Sequence, residues 1–78
     1  MQVRSAPRAR IIKEIPIGRV DLTLGDQKSV PHVGDIVELD HGFTMPTGEP
    51  AGIVVCRDLN GSVRWVADVL ESEMEMVS

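Results

Sequence analysis

The stretch IVVCRDLNGSVRWVADVL, residues 53–70, decides the fold because two apolar runs flank a strong turn signal. Asn60-Gly61 is a typical centre of a type I′ turn, which needs positive φ at both central residues. In the second run, alternate residues point to one side, namely Val63, Trp65, Ala67 and Val69. The stretch therefore predicts two antiparallel strands with the core on the side of Trp65.

A further strand and a loop precede this hairpin. VGDIVELD, residues 33–40, places Val33, Val37 and Leu39 on one face of a strand. The next twelve or so residues contain five residues that interrupt regular structure, namely Gly42, Pro46, Gly48, Pro50 and Gly52. We therefore expect an irregular loop over residues 40–52.

The N-terminal part predicts a second hairpin. In RIIKEIPIGRVDLTLGD, residues 10–26, two runs with alternating apolar residues flank Gly18-Arg19, a Gly-X pair typical of a type II′ turn. Pro16 lacks a backbone donor, so the first strand is expected at a sheet edge or at a bulge. Residues 1–9 lack an apolar period, which predicts a flexible basic arm before a single domain at residues 10–78.

The C-terminal segment ESEMEMVS, residues 71–78, alternates Met74 and Met76 with Glu73 and Glu75. Glu, Met, Leu and Ala favour a short helix over residues 68–76. The period of two and the valines favour a strand, a turn and another strand, and this is our prediction. The chain is then all-β, with five to six short antiparallel strands in a small barrel or sandwich.

The segments VGDIVEL, GIVV, the Asn60-Gly61 turn, RWVADVL and ESEMEMV together resemble the strand order of SH3-like small β-barrels. The resemblance covers residues 33–77 and implies a small SH3-like barrel to which the N-terminal hairpin is added. Peptide-binding SH3 domains use several aromatic residues, whereas this chain has no Tyr and one Trp. KOW modules are similar at residues 34–37, but the loop at residues 40–52 lacks the Lys and Arg that would bind RNA.

Length and composition limit the class of protein to which this chain can belong. A chain of 78 residues forms one domain with a small core, so association would add stability. The single cysteine, Cys56, cannot form an intrachain disulfide, and no apolar run reaches the length of a membrane span. We expect a cytoplasmic protein that is not bound to a membrane.

Residues with catalytic or ligand chemistry are few and poorly spaced. Asp40 and His41 are adjacent, and neighbours in a regular strand point to opposite faces. The spacing of His32 and His41 matches no structural zinc site. Cys56 beside Arg57 is a candidate nucleophile, but a small buried apolar residue is the favoured interpretation. We therefore expect no enzyme activity, no cofactor, no metal and no small-molecule substrate.

A second apolar face is the most informative feature for function. Several apolar residues fall out of phase with the core, where a half-exposed antiparallel strand should carry polar residues. Either the N-terminal hairpin covers this face or another chain does. The sequence predicts a protein-binding role, as a homodimer or as a small subunit or regulator of a larger assembly, through a contact patch of Ile12, Ile36, Val54, Val66 and Leu70.

Charge distribution suggests two alternatives. The first nineteen residues hold five bases and one acid, while the rest hold three bases and eleven acids. Nucleic acid is therefore an alternative partner, bound weakly by Arg4, Arg8, Arg10 and Lys13. A phage- or plasmid-type inhibitor that mimics nucleic acid is a further alternative, with an acidic surface of Asp58, Asp68, Glu71, Glu73 and Glu75. Ordinary solvated charges are the simpler interpretation of both groups.

Overall fold

The protein is all-β in a computed structural model that describes residues 7–23 and 30–77. Two 3₁₀ turns, Ile17–Arg19 and Glu71–Glu73, interrupt six strands, which are β1 (Arg8–Ile11), β2 (Val20–Thr23), β3 (Ile36–Thr44), β4 (Pro50–Arg57), β5 (Val63–Leu70) and β6 (Met74–Val77). In the described part of the chain, neither helical element is long and apolar enough to cross a membrane.

The six strands form one antiparallel sheet in the order β2-β5-β4-β3-β1-β6. The sheet is compatible with a small barrel-like fold, but it does not close. β2 and β6 are its two edges. The prediction of an all-β chain with five to six short antiparallel strands is confirmed, and the sheet has one open side.

The predicted N-terminal hairpin is wrong. β1 pairs with β3 and β6, whereas β2 pairs with β5, so these two strands lie in different parts of the sheet. The predicted turn residues Gly18 and Arg19 belong to the first 3₁₀ turn, in which the backbone N–H of Arg19 donates to the carbonyl of Pro16. The fixed φ of Pro16 suits the start of such a turn as well as it suits a strand edge.

The boundary predicted between arm and domain also moves. Arg8 and Ala9, assigned to the flexible arm, form the start of β1, and Ala9 is fully buried. The backbone N–H of Leu39 donates to the carbonyl of Pro7, which extends the contact with β3 by one residue. The part of the arm at residues 1–6 lies outside the described residues.

The expected irregular loop at residues 40–52 is mostly strand. β3 continues to Thr44 and β4 begins at Pro50, so only a five-residue connection remains. In this connection the N–H of Gly48 donates to the carbonyl of Met45, and Gly48 takes positive φ. Gly and Pro are therefore compatible with strand here, because Pro50 begins its strand and Gly48 is needed only at the turn.

The β4–β5 hairpin is confirmed, although its turn has another geometry. The N–H of Gly61 donates to the carbonyl of Asp58, and within this turn only Gly61 has positive φ, so Asn60 does not adopt the conformation of a type I′ turn. A type I turn followed by a left-handed glycine fits this pattern. The carboxylate of Asp58 accepts hydrogen bonds from the N–H groups of Asn60 and Ser62, which stabilises the turn.

The predicted strand, turn and strand at the C-terminus are observed as β5, the second 3₁₀ turn and β6. Trp65 is the largest fully buried side chain, and it packs in an otherwise aliphatic core that includes Ile11, Val37, Val54 and Val69. Its indole Nε1 has no hydrogen-bond partner among the described residues. Val33, predicted to lie in β3, precedes the strand and is exposed.

Two glycines lie directly opposite each other in β3 and β4, and they have different surroundings. A Cβ atom at Gly52 would overlap Leu39 Cδ1, whereas one at Gly42 would meet only the carbonyl oxygen of Ala51, at 3.6 Å. Leu39 packs against the core, so it cannot move away without losing contacts. The absence of a side chain at Gly52 in β4 thus leaves room for the side chain of Leu39 on the neighbouring strand β3.

Gly52→Ala is expected to lower the free energy of unfolding by about 1–3 kcal/mol, because it overpacks the contact with Leu39. Gly42→Ala is the matched control and is expected to be neutral or slightly stabilising, since alanine costs less conformational entropy than glycine in a strand. Urea unfolding of both variants checks this. Equal stability of the two variants would contradict the proposed role of Gly52.

Candidate contact face

The outer face of β4 and β5 carries apolar side chains where solvent-facing polar ones are expected. Within β4 the inward residues are Val54 and Cys56, so Ile53 and Val55 point outward. Val66 lies directly opposite Val55 across the strand pair, and Leu70 lies further along β5. We define the contact face as Ile53, Val55, Val66 and Leu70, all of them half-buried.

The structure divides the contact patch predicted from sequence. Val66 and Leu70 belong to the contact face, whereas Val54 has 0% of its surface exposed and lies in the core. The assignment of Val54 to a contact surface is therefore wrong. IVVC, residues 53–56, is apolar at four successive positions, so its alternation alone does not tell which residues face inward. Opposite Val54 lies Ala67, which is also buried, and this pairing sets the phase.

The other two predicted patch residues lie outside β4 and β5. Ile12 follows β1 and Ile36 begins β3, and their exposed fractions are 40% and 43%. Ile36 is the cross-strand partner of Arg10 on β1. Because β4 and β3 separate β5 from β1, Ile12 is not part of the cluster around Val66.

The N-terminal segment does not cover the contact face in the described part of the chain. β1 inserts between β3 and β6, and β2 adds to the far side of β5. Both strands therefore extend the sheet sideways instead of forming a second layer. The explanation in which an N-terminal hairpin hides the outer apolar residues does not apply to these segments.

Charged and polar side chains border the contact face on β3, and Asp68 lies within it, between Val66 and Leu70 on β5. Glu38 lies opposite Val55 in the strand pairing, and its carboxylate is 3.2 Å from Arg57 Nε. His41 lies opposite Ile53, and Asp68 lies opposite Ile53 on the other side. Protein interfaces commonly combine apolar side chains with charged and polar neighbours.

Asp40 and His41 share one side of β3, contrary to expectation. The register shifts between Leu39 and His41, so a bulge at Asp40 interrupts the alternation of side chains. His41 Nδ1 and Asp40 Oδ2 are 3.1 Å apart, and both side chains are exposed. Among the described residues, no cluster of three or more His, Cys, Asp and Glu side chains could hold a metal ion.

Cys56 is buried, with 2% of its surface exposed. Burial raises the pKa of the Cys56 thiol, the charge of Asp35 raises it further, and Arg64 opposes both effects. The guanidinium near the sulfur thus belongs to Arg64, 3.8 Å away, and not to the adjacent Arg57. A protonated, buried thiol packs as a small apolar side chain and is a weak nucleophile.

The residues of the predicted nucleic-acid surface have acidic neighbours. Arg8 lies opposite Glu38 in the register of β1 and β3. Arg10 Nη1 lies 3.7 Å from Glu75 Oε1. Lys13 is exposed after β1, and Arg4 lies outside the described residues. Carboxylates beside the arginines oppose the approach of phosphate groups.

Several members of the predicted acidic surface have internal partners. Asp58 stabilises its turn, Glu75 lies near Arg10, and Glu73 is buried against Arg19. These carboxylates therefore interact with groups of the same chain.

The Arg19–Glu73 pair was not predicted from sequence. Two hydrogen bonds join the guanidinium to the carboxylate, from Nη1 to Oε1 at 2.7 Å and from Nη2 to Oε2 at 2.6 Å. Oε1 also accepts the backbone N–H of Leu70 at 2.8 Å. The two side chains are only 21% and 11% exposed, so solvent screens this pair weakly.

The surroundings of Glu73 determine its protonation. Burial alone would raise the pKa of Glu73, but hydrogen bonds from Arg19 and Leu70 outweigh it, and the charges of Arg19 and Lys13 lower it further. The hydrogen bond to Glu73 raises the pKa of Arg19. Burial raises the pKa of Asp68, as do a hydrogen bond and the charge of Asp21, while Arg19 opposes the rise.

Comparisons of this chain with protein families, with curated proteins and with solved structures found no match.

Proposed function

We propose that this is a non-catalytic protein that acts through protein–protein contacts of the contact face, as a homodimer or as a small subunit or regulator of a larger assembly. The observation that carries this proposal is the row of half-buried Ile53, Val55, Val66 and Leu70 on the outer side of β4 and β5. Self-association is its simplest form.

The small size of the domain favours association. A chain of 78 residues buries a modest core, and its stability is expected to be about 4–12 kcal/mol. Removing further apolar area from water adds roughly 25 cal/mol per Å², so covering the contact face would contribute a substantial part of that stability. The charged side chains beside and within the contact face would set the orientation of the partner.

An SH3-like arrangement is part of the proposal. It is supported by the long hairpins of β3, β4 and β5, by the 3₁₀ turn between the last two strands, and by the pairing of β1 with both β3 and β6. A cytoplasmic location is proposed as well, since Cys56 is a buried free thiol that suits a reducing compartment.

Val66→Lys tests the proposed function. The wild-type protein is expected to show a mass above that of the 8.5 kDa monomer by light scattering, and the mass should fall on dilution. Val66→Lys should yield a folded monomer, because the half-buried position lets the ammonium reach water while it charges the centre of the contact face.

Leu59→Lys is the matched control, because Leu59 is fully exposed in the β4–β5 turn, away from the contact face. It adds the same charge and should leave the mass unchanged. Equal masses for the wild type and Val66→Lys over the whole dilution series would refute self-association through the contact face.

A further inference from the structure

The open side of the sheet lies between its edge strands, and one side-chain pair spans it. The first 3₁₀ turn directly precedes β2, and the second directly precedes β6. In the described residues, β2 pairs only with β5 and β6 only with β1, so no strand pairing joins the two edges. Arg19 and Glu73, each the last residue of its turn, connect the two sides.

We propose that the Arg19–Glu73 pair is an acid-opened latch. Ionised Glu73 holds the first 3₁₀ turn and β2 against the second 3₁₀ turn and β6. Protonated Glu73 releases them while β3, β4 and β5 stay folded.

The latch joins three parts of the chain through one carboxylate. Glu73 accepts two hydrogen bonds from Arg19 and one from the N–H of Leu70, at the end of β5. Arg19 Nη1 also lies 3.4 Å from the carbonyl oxygen of Asp68. Charge-assisted, bidentate pairs of this kind are about twice as strong as neutral hydrogen bonds, and protonation removes that charge.

The charged groups around the latch favour its closed form at neutral pH. The positive charges of Arg19 and of Lys13, in the segment after β1, lower the pKa of Glu73. The pKa of Arg19 is raised by the negative charges of Glu73, of Glu49 in the β3–β4 turn and of Asp68 in β5. Asp21 of β2 raises the pKa of Asp68 through a hydrogen bond and through its charge. Arg19 therefore lies among carboxylates, and its closest contact is with Glu73.

The direction of the pH effect follows from the pKa of Glu73, which is lower in the folded protein. Its stabilising contribution is complete above the unfolded value of about 4.3 and is lost as pH falls through the folded pKa. Asp68 has the opposite sign, since its raised pKa means that the folded state gains stability on protonation. Opening in acid is therefore assigned to Glu73 and not to Asp68.

Opening is expected to be local because the edges have few backbone contacts. β2 and β6 are four residues each, whereas β3, β4 and β5 have nine, eight and eight residues and pair over most of their length. Short edge strands open at lower free energy than the centre of a sheet.

Amide hydrogen exchange followed by NMR tests the latch, with protection factors corrected for the intrinsic pH dependence of exchange. The reporters are the N–H of Leu70, which donates to the Glu73 side chain, and that of Ile12, which donates to the Glu73 carbonyl. Between the unfolded pKa of about 4.3 and the lower pKa of folded Glu73, their protection should fall about tenfold per pH unit while the amides of β4 keep theirs.

Two variants separate the latch from general acid unfolding. Glu73→Gln should show low protection of both reporters at every pH, whereas Glu71→Gln removes an exposed carboxylate from the same turn and should keep the wild-type response. Simultaneous loss of protection at Leu70 and in β4 would overturn the proposal, and so would a wild-type pH response in Glu73→Gln. If Glu73→Gln does not fold, the wild type and Glu71→Gln decide.

Discussion

Arg19→Met is expected to lower the free energy of unfolding by about 3 kcal/mol, because it leaves the carboxylate of Glu73 buried without its cation. Only the N–H of Leu70 would then remain as a described hydrogen-bond donor to Glu73. In a domain of this size the loss corresponds to roughly 15 °C in Tm. Thermal and urea unfolding, followed by the emission of the single Trp65, measure it.

Two further variants identify the cause of this loss. Arg10→Met removes a solvent-exposed arginine that lies 3.7 Å from Glu75, and it should have little effect because such pairs contribute little. Adding Glu73→Gln to Arg19→Met should recover part of the stability, since it removes the buried charge that Arg19→Met leaves without a cation. If Arg19→Met were as stable as Arg10→Met, the pair would have no structural importance.

Val54→Lys is expected to unfold the protein, whereas Val55→Lys should stay folded. Val54 is completely buried, and an ammonium there costs several kcal/mol, a large part of the stability of so small a domain. Val55 points outward and lies opposite Glu38, which would attract the new charge. Circular dichroism and Trp65 fluorescence distinguish the two outcomes.

The comparison also separates the core from the contact face. Val55→Lys should additionally reduce the mass in solution, because Val55 lies opposite Val66 at the centre of that face. A folded Val54→Lys variant, with an unfolding midpoint equal to that of Val55→Lys, would show that the assignment of inward and outward residues in β4 is incorrect.

Local signals were sufficient for part of the fold. The β4–β5 hairpin follows from the sequence because Asn60-Gly61 marks a turn, an apolar run precedes it and an alternating run follows it. The all-β class and the short turn before β6 followed from similar patterns. The N-terminal hairpin was wrong because Pro16, Gly18 and Arg19 suit a 3₁₀ turn equally well, and the partners of β1 and β2 are set by contacts distant in sequence.

The candidate site was harder to predict. Residues 53–56 are all apolar, so the sequence does not reveal that Val55 faces outward while Val54 faces the core. The bulge at Asp40 has no clear sequence signal, and it places Asp40 and His41 on one side. Arg19 and Glu73 are 54 residues apart, and neither stands out before the fold brings them together.

The pairing of Arg8 with Val77 has a consequence for joining this domain to other proteins. These residues are cross-strand partners, so the chain enters and leaves the sheet at neighbouring positions. Domains fused before Arg8 and after Val77 would therefore emerge side by side. A short linker would connect the two positions in a circularly permuted chain, and the exposed Asp58–Ser62 turn would supply the new ends.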